Sequence, residues 1–311
     1  MSGYEALRNT AAWIDLSARG KVRVTGEDRM RLLHAMSTND VEHLASGSGL
    51  YALFLNEKGR ILADACIYNL GESLFLDTEA ETAAKLRDHL DKYIIADDVY
   101  LEDETAAWAA IGLEGPRSIS AATGIGISVP ENKYGIREWG SGFAAHVASS
   151  GPEGIRVFLP QAEKAGFIQH MTAANIPQAT REEARIVRLE NGTPRYGEEI
   201  SERYLVQEAQ AMHAVHLNKG CYLGQEIVER VRSRGQVHRL LAAVRFQSET
   251  PPAPGTKLIA NGEPAGEIAS AVFSPELGEV VGFAYVKAQA LQDRPEMAVD
   301  GTEPAVKAYI R

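Results

Sequence analysis

Residues 219–230 read KGCYLGQEIVER. One of only two cysteines, Cys221, sits here between Gly220 and Gly224, with Lys219 two positions before it. The two glycines point to a tight backbone and not to a smooth core element. Lys219 and Arg230 could favour a thiolate through nearby positive charge. Free cysteine is also a common small hydrophobe in cores. Residue chemistry leaves both readings of Cys221 open, a buried filler or a reactive thiol. Gln225 and Glu226, followed by the apolar Ile227 and Val228, begin the next element.

Downstream of this stretch the texture changes. From about residue 239, short apolar segments (LLAAVRF, TKLIA, EIASAVF, VVGFAYV, AVKAYI) alternate with PPAPG, NGEP, SPELG and DGTEP. Many short strands with dense turn signals predict a small β-barrel or sandwich. Gly235 and the run SETPPAPG mark the boundary, giving domains at 1–235 and 236–311. Between them, ERVRSRGQVHR puts Arg230, Arg232 and Arg234 at spacing two, which on a strand would share one face. They would meet anions there or lie on a solvated edge.

Upstream, residues 21–25 read as a strand and 26–34 as a helix. Residues 51–78 form a β-meander in which YALFL, RILADACIY and SLFLD are separated by NEKG and NLGE. An insert subdomain spans about 48–112. In RILADACIY, period-two alternation places Asp64, Cys66 and Tyr68 on one face and Ile61, Ala63, Ala65 and Ile67 on the other. The apolar face belongs to a core. For the mixed face periodicity favours an exposed sheet surface, the alternative being a pocket wall on which Asp64 meets a ligand amine. Residues 79–93 and 161–175 read as helices, with strands near 98–102 and 106–113. A further helix is punctuated by a Thr180–Glu183 capping box and an Asn191-Gly192 stop, with Pro194 beyond. Glu190 thus falls in its last turn, where a carboxylate opposes the helix dipole. Such a local conflict marks either a solvated surface group or a functional one.

The bulk numbers are those of an ordinary globular protein: 311 residues, 45% hydrophobic, 24% charged and a net charge of −10. That acidity argues against broad nucleic-acid binding. No apolar run approaches the ~18–20 residues that span a bilayer. The N-terminal MSGYEALRNT is not a secretory signal, and two cysteines make no disulfide framework, so a cytoplasmic location is expected. No phosphate-binding loop, nucleophile elbow or zinc motif is present. His213 and His216 lack a signalled third ligand, so no metal is expected.

KGCYLGQE resembles the K-G-C-[FY]-x-G-Q-E motif of the YgfZ family of folate-binding proteins, which is related to the aminomethyltransferase (T-protein) of the glycine cleavage system. VTGEDRMRLLHAMSTNDV, FLNEKGRILAD, DKYIIADDV, RLENGTPRYGEEISE and SPELGEVVGFAYV extend the likeness over most of the chain in family order. The resemblance implies an α+β fold, an aminomethyltransferase-like body of two α/β subdomains around a pocket, with a C-terminal β-barrel. It implies tetrahydrofolate or a one-carbon derivative as ligand. It also implies a role in assembling or repairing iron–sulfur clusters in client proteins, including tRNA-thiolating enzymes. Glu190 matches the glutamate that holds the pterin, whose paired N–H donors a carboxylate can accept. Tyr51 and Asn56 match pocket positions, and Asp64 matches the essential member of an Asp-Asp pair that reads Ala63-Asp64 here. Tyr68 shares its strand face. The folate is expected between the 51–68 sheet, Glu190 and Arg230.

The motif residues Lys219, Gly220, Cys221, Tyr222, Gly224, Gln225 and Glu226 would present the thiol, with Cys221, Lys219 and Asp64 as the reactive set. One cysteine cannot hold a cluster by itself, so any cluster would be shared with an iron–sulfur client or assembly partner. Two departures separate the chain from the transferase. A Y-T-G-E segment reads SGPE at 150–153, and the transferase has no cysteine at the position of Cys221. The rival readings are a glycine cleavage aminomethyltransferase and a client-binding module that needs no folate.

Overall fold

The computed structural model describes residues 1–235, 237–293, 295–302 and 305–311. They divide into two compact units. The first comprises Met1–Glu57, Leu62–Val187 and Ala214–Leu223; the second comprises Lys58–Ile61, Arg188–His213 and Gly224–Arg311.

In the first unit, helix α1 (Gly3–Asn9) starts at a Ser2–Glu5 capping box that the reading of the sequence passed over. Two five-stranded antiparallel sheets follow. One has the order β3 (Gly49–Leu55), β4 (Ile61–Asn69), β5 (Leu74–Thr78), β2 (Gly20–Thr25) and β6 (Tyr100–Asp103). The other runs β1 (Ala12–Asp15), β7 (Trp108–Glu114), β10 (Gly154–Pro160), β9 (Gly142–His146) and β8 (Ile136–Trp139). The meander of 51–78 is therefore present, whereas β1 and the strands β8 to β10 carried no recognised signal.

The first sheet buries one face under α2 (Arg29–Met36) and α3 (Ala83–Asp91), with Val22, Leu33, Leu76, Leu86 and Leu90 in that core. Its other face meets the second sheet through Tyr68, Phe75, Phe143 and Phe158, whose rings contact edge to face or stacked. The second sheet is covered in turn by α4 (Ser118–Gly124) and α5 (Lys164–Ala173). Residues 161–175, read as one helix, resolve into a short 3-10 turn at Gln161–Glu163 and α5. Helix α2 begins at Arg29, three residues later than read, because Gly26 (φ +98°) turns the chain first.

Helix α6 (Arg181–Glu190) opens on the expected capping box. The Glu183 N–H donates to Thr180 Oγ1 at 3.2 Å, and the Thr180 N–H donates to Glu183 Oε2 at 2.7 Å. Its end lies in the second unit. There the Gly192 N–H donates to the Leu189 carbonyl and the Thr193 N–H to the Arg188 carbonyl, both at 3.1 Å, with Gly192 at φ +65°. This is a Schellman stop.

The second unit also holds a closed six-stranded barrel. Its order is β11 (Arg239–Phe246), β14 (Glu279–Lys287), β13 (Glu263–Ser274), β12 (Lys257–Ala260), β15 (Met297–Val299) and β16 (Lys307–Ile310). The alternation of apolar runs and turns thus reads out as a barrel, which removes strand edges by closure. Two features were not anticipated, strand β15 and the short helix α8 (Ala288–Asp293). The last two residues of the DGTEP turn lie outside the described residues, as does Gln236 at the read domain boundary.

One reading is corrected outright. Residues 230–234 are not a strand but the end of helix α7 (Gln225–Arg234), which begins after Gly224. Arg230 and Arg232 are exposed, and Arg232 pairs with Glu229 one turn back at 2.7 Å. At helical spacing, i and i+2 do not share a face, so Arg230 and Arg232 do not line up as spacing two on a strand would have them.

Candidate functional site

Strand β4 decides the character of the first unit's candidate site. All nine of its residues are buried. The mixed face is therefore not an exposed sheet surface. Tyr68 is 0% exposed and packs edge to face on Phe143 and Phe158. Cys66 faces the same core, and burial pushes its thiol up to about 12.

Asp64 lies on that face and is 9% exposed. The Tyr51 hydroxyl, from β3, donates to its Oδ2 at 2.7 Å. Its other oxygen, Oδ1, is buried with no hydrogen-bond partner among the described residues. Burial, and then the charge of Glu79, raise the Asp64 carboxyl to about 6, against the bond from Tyr51. Tyr51 itself is held well above its usual range by burial and by the Asp64 charge. An acid group poised near neutrality, with one oxygen tied and the other buried without a donor, is suited to accepting an N–H and exchanging a proton. Asn56 is half-buried at the end of β3.

Near it runs a charge network that reading the sequence missed. Asp77 is fully buried beside Cys66 in register and pairs with Arg19 Nε at 2.7 Å and with Arg156 from β10. Arg19 also pairs with Glu79, the group that raises Asp64. Arg156 lies in no segment singled out from the sequence, and Asp77 lies in SLFLD, where it was given no role. The only available signal was a charged residue at an inward strand position of SLFLD and GIRVFL.

The motif residues lie at the other core of the first unit. Segment 214–223 is tied to the end of α2. The His216 N–H donates to the Thr38 carbonyl at 2.9 Å and the Leu223 N–H to the Ala35 carbonyl at 3.0 Å. Lys219 is buried, and its ammonium donates to the carbonyls of His34 and of Ser37 (2.7 Å), completing the helix end. His34 returns the contact. Its Nδ1 accepts from the Glu42 N–H at 3.1 Å, so Nε2–H donates to the Lys219 carbonyl at 2.8 Å. The Lys219 ammonium also sits 4.9 Å from the centre of the buried Tyr222 ring. Burial lowers the ammonium to about 8, with Asp40 and Cys221 opposing.

Gly220 (φ +98°) then turns the chain, and Cys221 is exposed. No neighbouring atom lies where a Cβ on Gly220 would point. The glycine is there for its left-handed backbone and not for lack of room. Gly224 (φ +83°) closes the turn and precedes α7. The core-filler reading of Cys221 is thus set aside, while Cys66 takes that role. Gln225 and Glu226 open α7 in the second unit.

In the second unit Glu190 is 6% exposed, which overturns the reading of a solvated surface carboxylate. Ser274 Oγ donates to its Oε1 at 2.5 Å. The Arg311 guanidinium donates to the carbonyls of Leu189 (3.1 Å) and Glu190 (2.6 Å). That cation at the helix C-terminus offsets the dipole conflict. Arg188 forks onto Glu199 at 2.8 and 3.1 Å and fixes the turn that follows. Among the described residues no group of three or more His, Cys, Asp or Glu is placed to hold a metal ion. No helix among them is long and apolar enough to cross a membrane.

Comparison with known proteins places this architecture. Residues 2–219 match the GCVT N-terminal domain and residues 239–310 the glycine cleavage T-protein C-terminal barrel domain. The chain is 30% identical over 290 residues to an aminomethyltransferase of Rubrobacter xylanophilus, covering 91% of this chain and 78% of that protein. It is 27% identical over 315 residues to an aminomethyltransferase of Herpetosiphon aurantiacus, covering 99% and 87%. The crystal structure of the glycine cleavage system aminomethyltransferase T from Bartonella henselae superposes with a TM-score of 0.90 at 20% identity, over 99% of this chain and 87% of that one. With α/β domains followed by a closed six-stranded barrel, and with both family domains matched in order, the chain belongs to the glycine cleavage T-protein family.

Proposed function

We propose that the protein binds tetrahydrofolate or a one-carbon derivative and supports the assembly or repair of iron–sulfur clusters in client enzymes, as the YgfZ branch of this family does. The observation that carries the reading is the setting of Cys221. Its thiol is exposed on a glycine turn whose preceding residue, Lys219, is buried and anchored to the end of α2. A structural thiol would be inside the core, as Cys66 is.

The first unit's residues fit a folate. Asp64 Oδ1 is a buried acceptor with no donor among the described residues, and Tyr51 holds the other oxygen. A buried acceptor in that state calls for an N–H from a ligand. When bound, tetrahydrofolate supplies an amine that takes up a one-carbon unit. Asp64, at about 6, holds or releases a proton at Oδ1, and Tyr51 orients the carboxylate. In the second unit, Glu190 is assigned to the aminopyrimidine edge of the pterin on the family likeness. The iron–sulfur clients are proposed partners, and Cys221 is the group that meets them.

Two measurements test this. Calorimetry of the purified protein against tetrahydrofolate should show saturable binding that weakens in Asp64→Ala and Glu190→Ala. In cells lacking the wild-type protein, Cys221→Ala should fail to restore the activity of an iron–sulfur enzyme; full rescue removes Cys221 from the function. Absence of folate binding together with retained rescue by Glu190→Ala would favour a client-binding module.

A second reading is favoured by the Tyr51–Asp64 pair, an acid–base arrangement, and by the relatives called aminomethyltransferase. Here Asp64 would serve an aminomethyl group carried on a lipoyl protein. Methylenetetrahydrofolate formed from that carrier and tetrahydrofolate by the purified protein would establish this activity.

A further inference from the structure

We propose that Ser274 and Arg311, two residues of the barrel, are positioning residues for Glu190 and thereby set the affinity of this protein for the pterin ring. The proposal rests on the folate reading above.

The physical case starts from the cost of Glu190. A carboxylate in the last turn of a helix faces the negative end of the dipole, and this one is also buried. A sequence selected for stability alone would place an amide, a cation or an apolar group there. The chain keeps the carboxylate and supplies two compensations from the barrel. Ser274, at the end of β13, is 0% exposed. Its Oγ accepts from the Leu277 N–H at 3.1 Å, which directs the hydroxyl hydrogen to Glu190 Oε1 at 2.5 Å. This short charge-assisted bond helps to fix the carboxylate plane.

Arg311 follows β16, and its N–H donates to the Ala243 carbonyl on β11 at 2.9 Å. Its guanidinium spans the carbonyls of Leu189 and Glu190, neutralising the helix end on which the carboxylate is mounted. Ser274 contacts the carboxylate and Arg311 the backbone that carries it. Both act through Glu190. Pairing a planar carboxylate with the two N–H groups of an aminopyrimidine depends on orientation, so loosening either support should weaken pterin binding.

The experiment is calorimetric titration of the full chain with tetrahydrofolate for wild type, Ser274→Ala, Arg311→Gln and Arg311→Lys. Each is made alone and in a Glu190→Gln background. Ser274→Ala and Arg311→Gln should weaken binding about tenfold, as expected for losing a hydrogen bond to a charged group. Arg311→Lys should recover part of the loss. In the Glu190→Gln background Ser274→Ala should change the dissociation constant less than twofold, a coupling that general damage to the barrel would not give. If Ser274→Ala does not fold, Ser274→Cys keeps the volume with a weaker donor and gives the same comparison. Variants that bind like wild type, or that lose the same factor with and without Glu190, overturn the proposal while leaving folate binding intact. A wild type that does not bind tetrahydrofolate overturns both.

Discussion

Replacing Asp64 by Asn should make the protein more stable at neutral pH while removing the ligand chemistry proposed for it. The carboxyl is raised to about 6 in the folded chain, chiefly by burial and then by Glu79, whereas in an unfolded chain it titrates near 3.8. The folded state therefore binds the proton more tightly. Asp64 imposes no cost below the unfolded value, and a cost accumulates as pH rises from about 4 to about 6. Integrating the proton linkage gives about 3 kcal/mol of lost stability at pH 8, roughly half of that at pH 5 and little at pH 4. Asn has the same shape and can still accept from Tyr51. Its amide brings a buried donor, which costs about 1 kcal/mol at every pH. The net expectation is a gain of about 2 kcal/mol at pH 8 that shrinks to about zero near pH 4.5. Urea titrations of both proteins at pH 8, 6 and 4.5 measure it. A destabilisation of equal size at all three values would refute the reasoning, because it would mean that the wild-type carboxylate is not held charged against its surroundings.

Other outcomes follow from neighbouring groups. Asp77→Ala should cost about 3–5 kcal/mol, since it leaves the Arg19 and Arg156 guanidiniums buried without their shared carboxylate. Because those guanidiniums help hold Asp77 below its ordinary value, the stabilisation exists above the unfolded carboxylate range and is lost as pH falls through the folded value; acid unfolding of wild type and variant should converge there. With a chromogenic disulfide reagent, one thiol, Cys221, should react in the native protein and the second only in denaturant, because Cys66 is buried and pushed up to about 12. Lys219→Ala should destabilise by about 1–3 kcal/mol through the unmet carbonyls of His34 and Ser37. It should also slow the native thiol reaction of Cys221 if the turn depends on that anchor, which time-resolved labelling would show.

The punctuated parts of the chain were legible from residues. The capping box at Thr180 and Glu183, the Asn191-Gly192 stop and the alternation of short strands and turns after residue 239 depend on contacts within a few positions. Strands β1 and β10 were not legible, since β10 is buried on both faces and β1 pairs far along the chain, while β8 and β9 form a short local hairpin whose signal went unread. The run of arginines at 230–234 was misread because spacing two suggests a strand whatever the backbone does; the apolar Ile227, Val228 and Val231 are the helical signal. At the candidate site, Asp64 and Cys221 were flagged by residue type, but type could not say which cysteine was buried.

Sequence by itself determined the family, through segments in fixed order, and the local turns, through glycines that tolerate positive φ at 220 and 224. Only the tertiary structure decided the electrostatic state of the candidate groups. Burial and the charge of a partner set that state, and those partners are remote in sequence. Glu79 raises Asp64 from 15 positions away, and Ser274 grips Glu190 from 84 positions away. Desolvation and Coulomb interaction depend on distance through space, which the order of residues along the chain does not record.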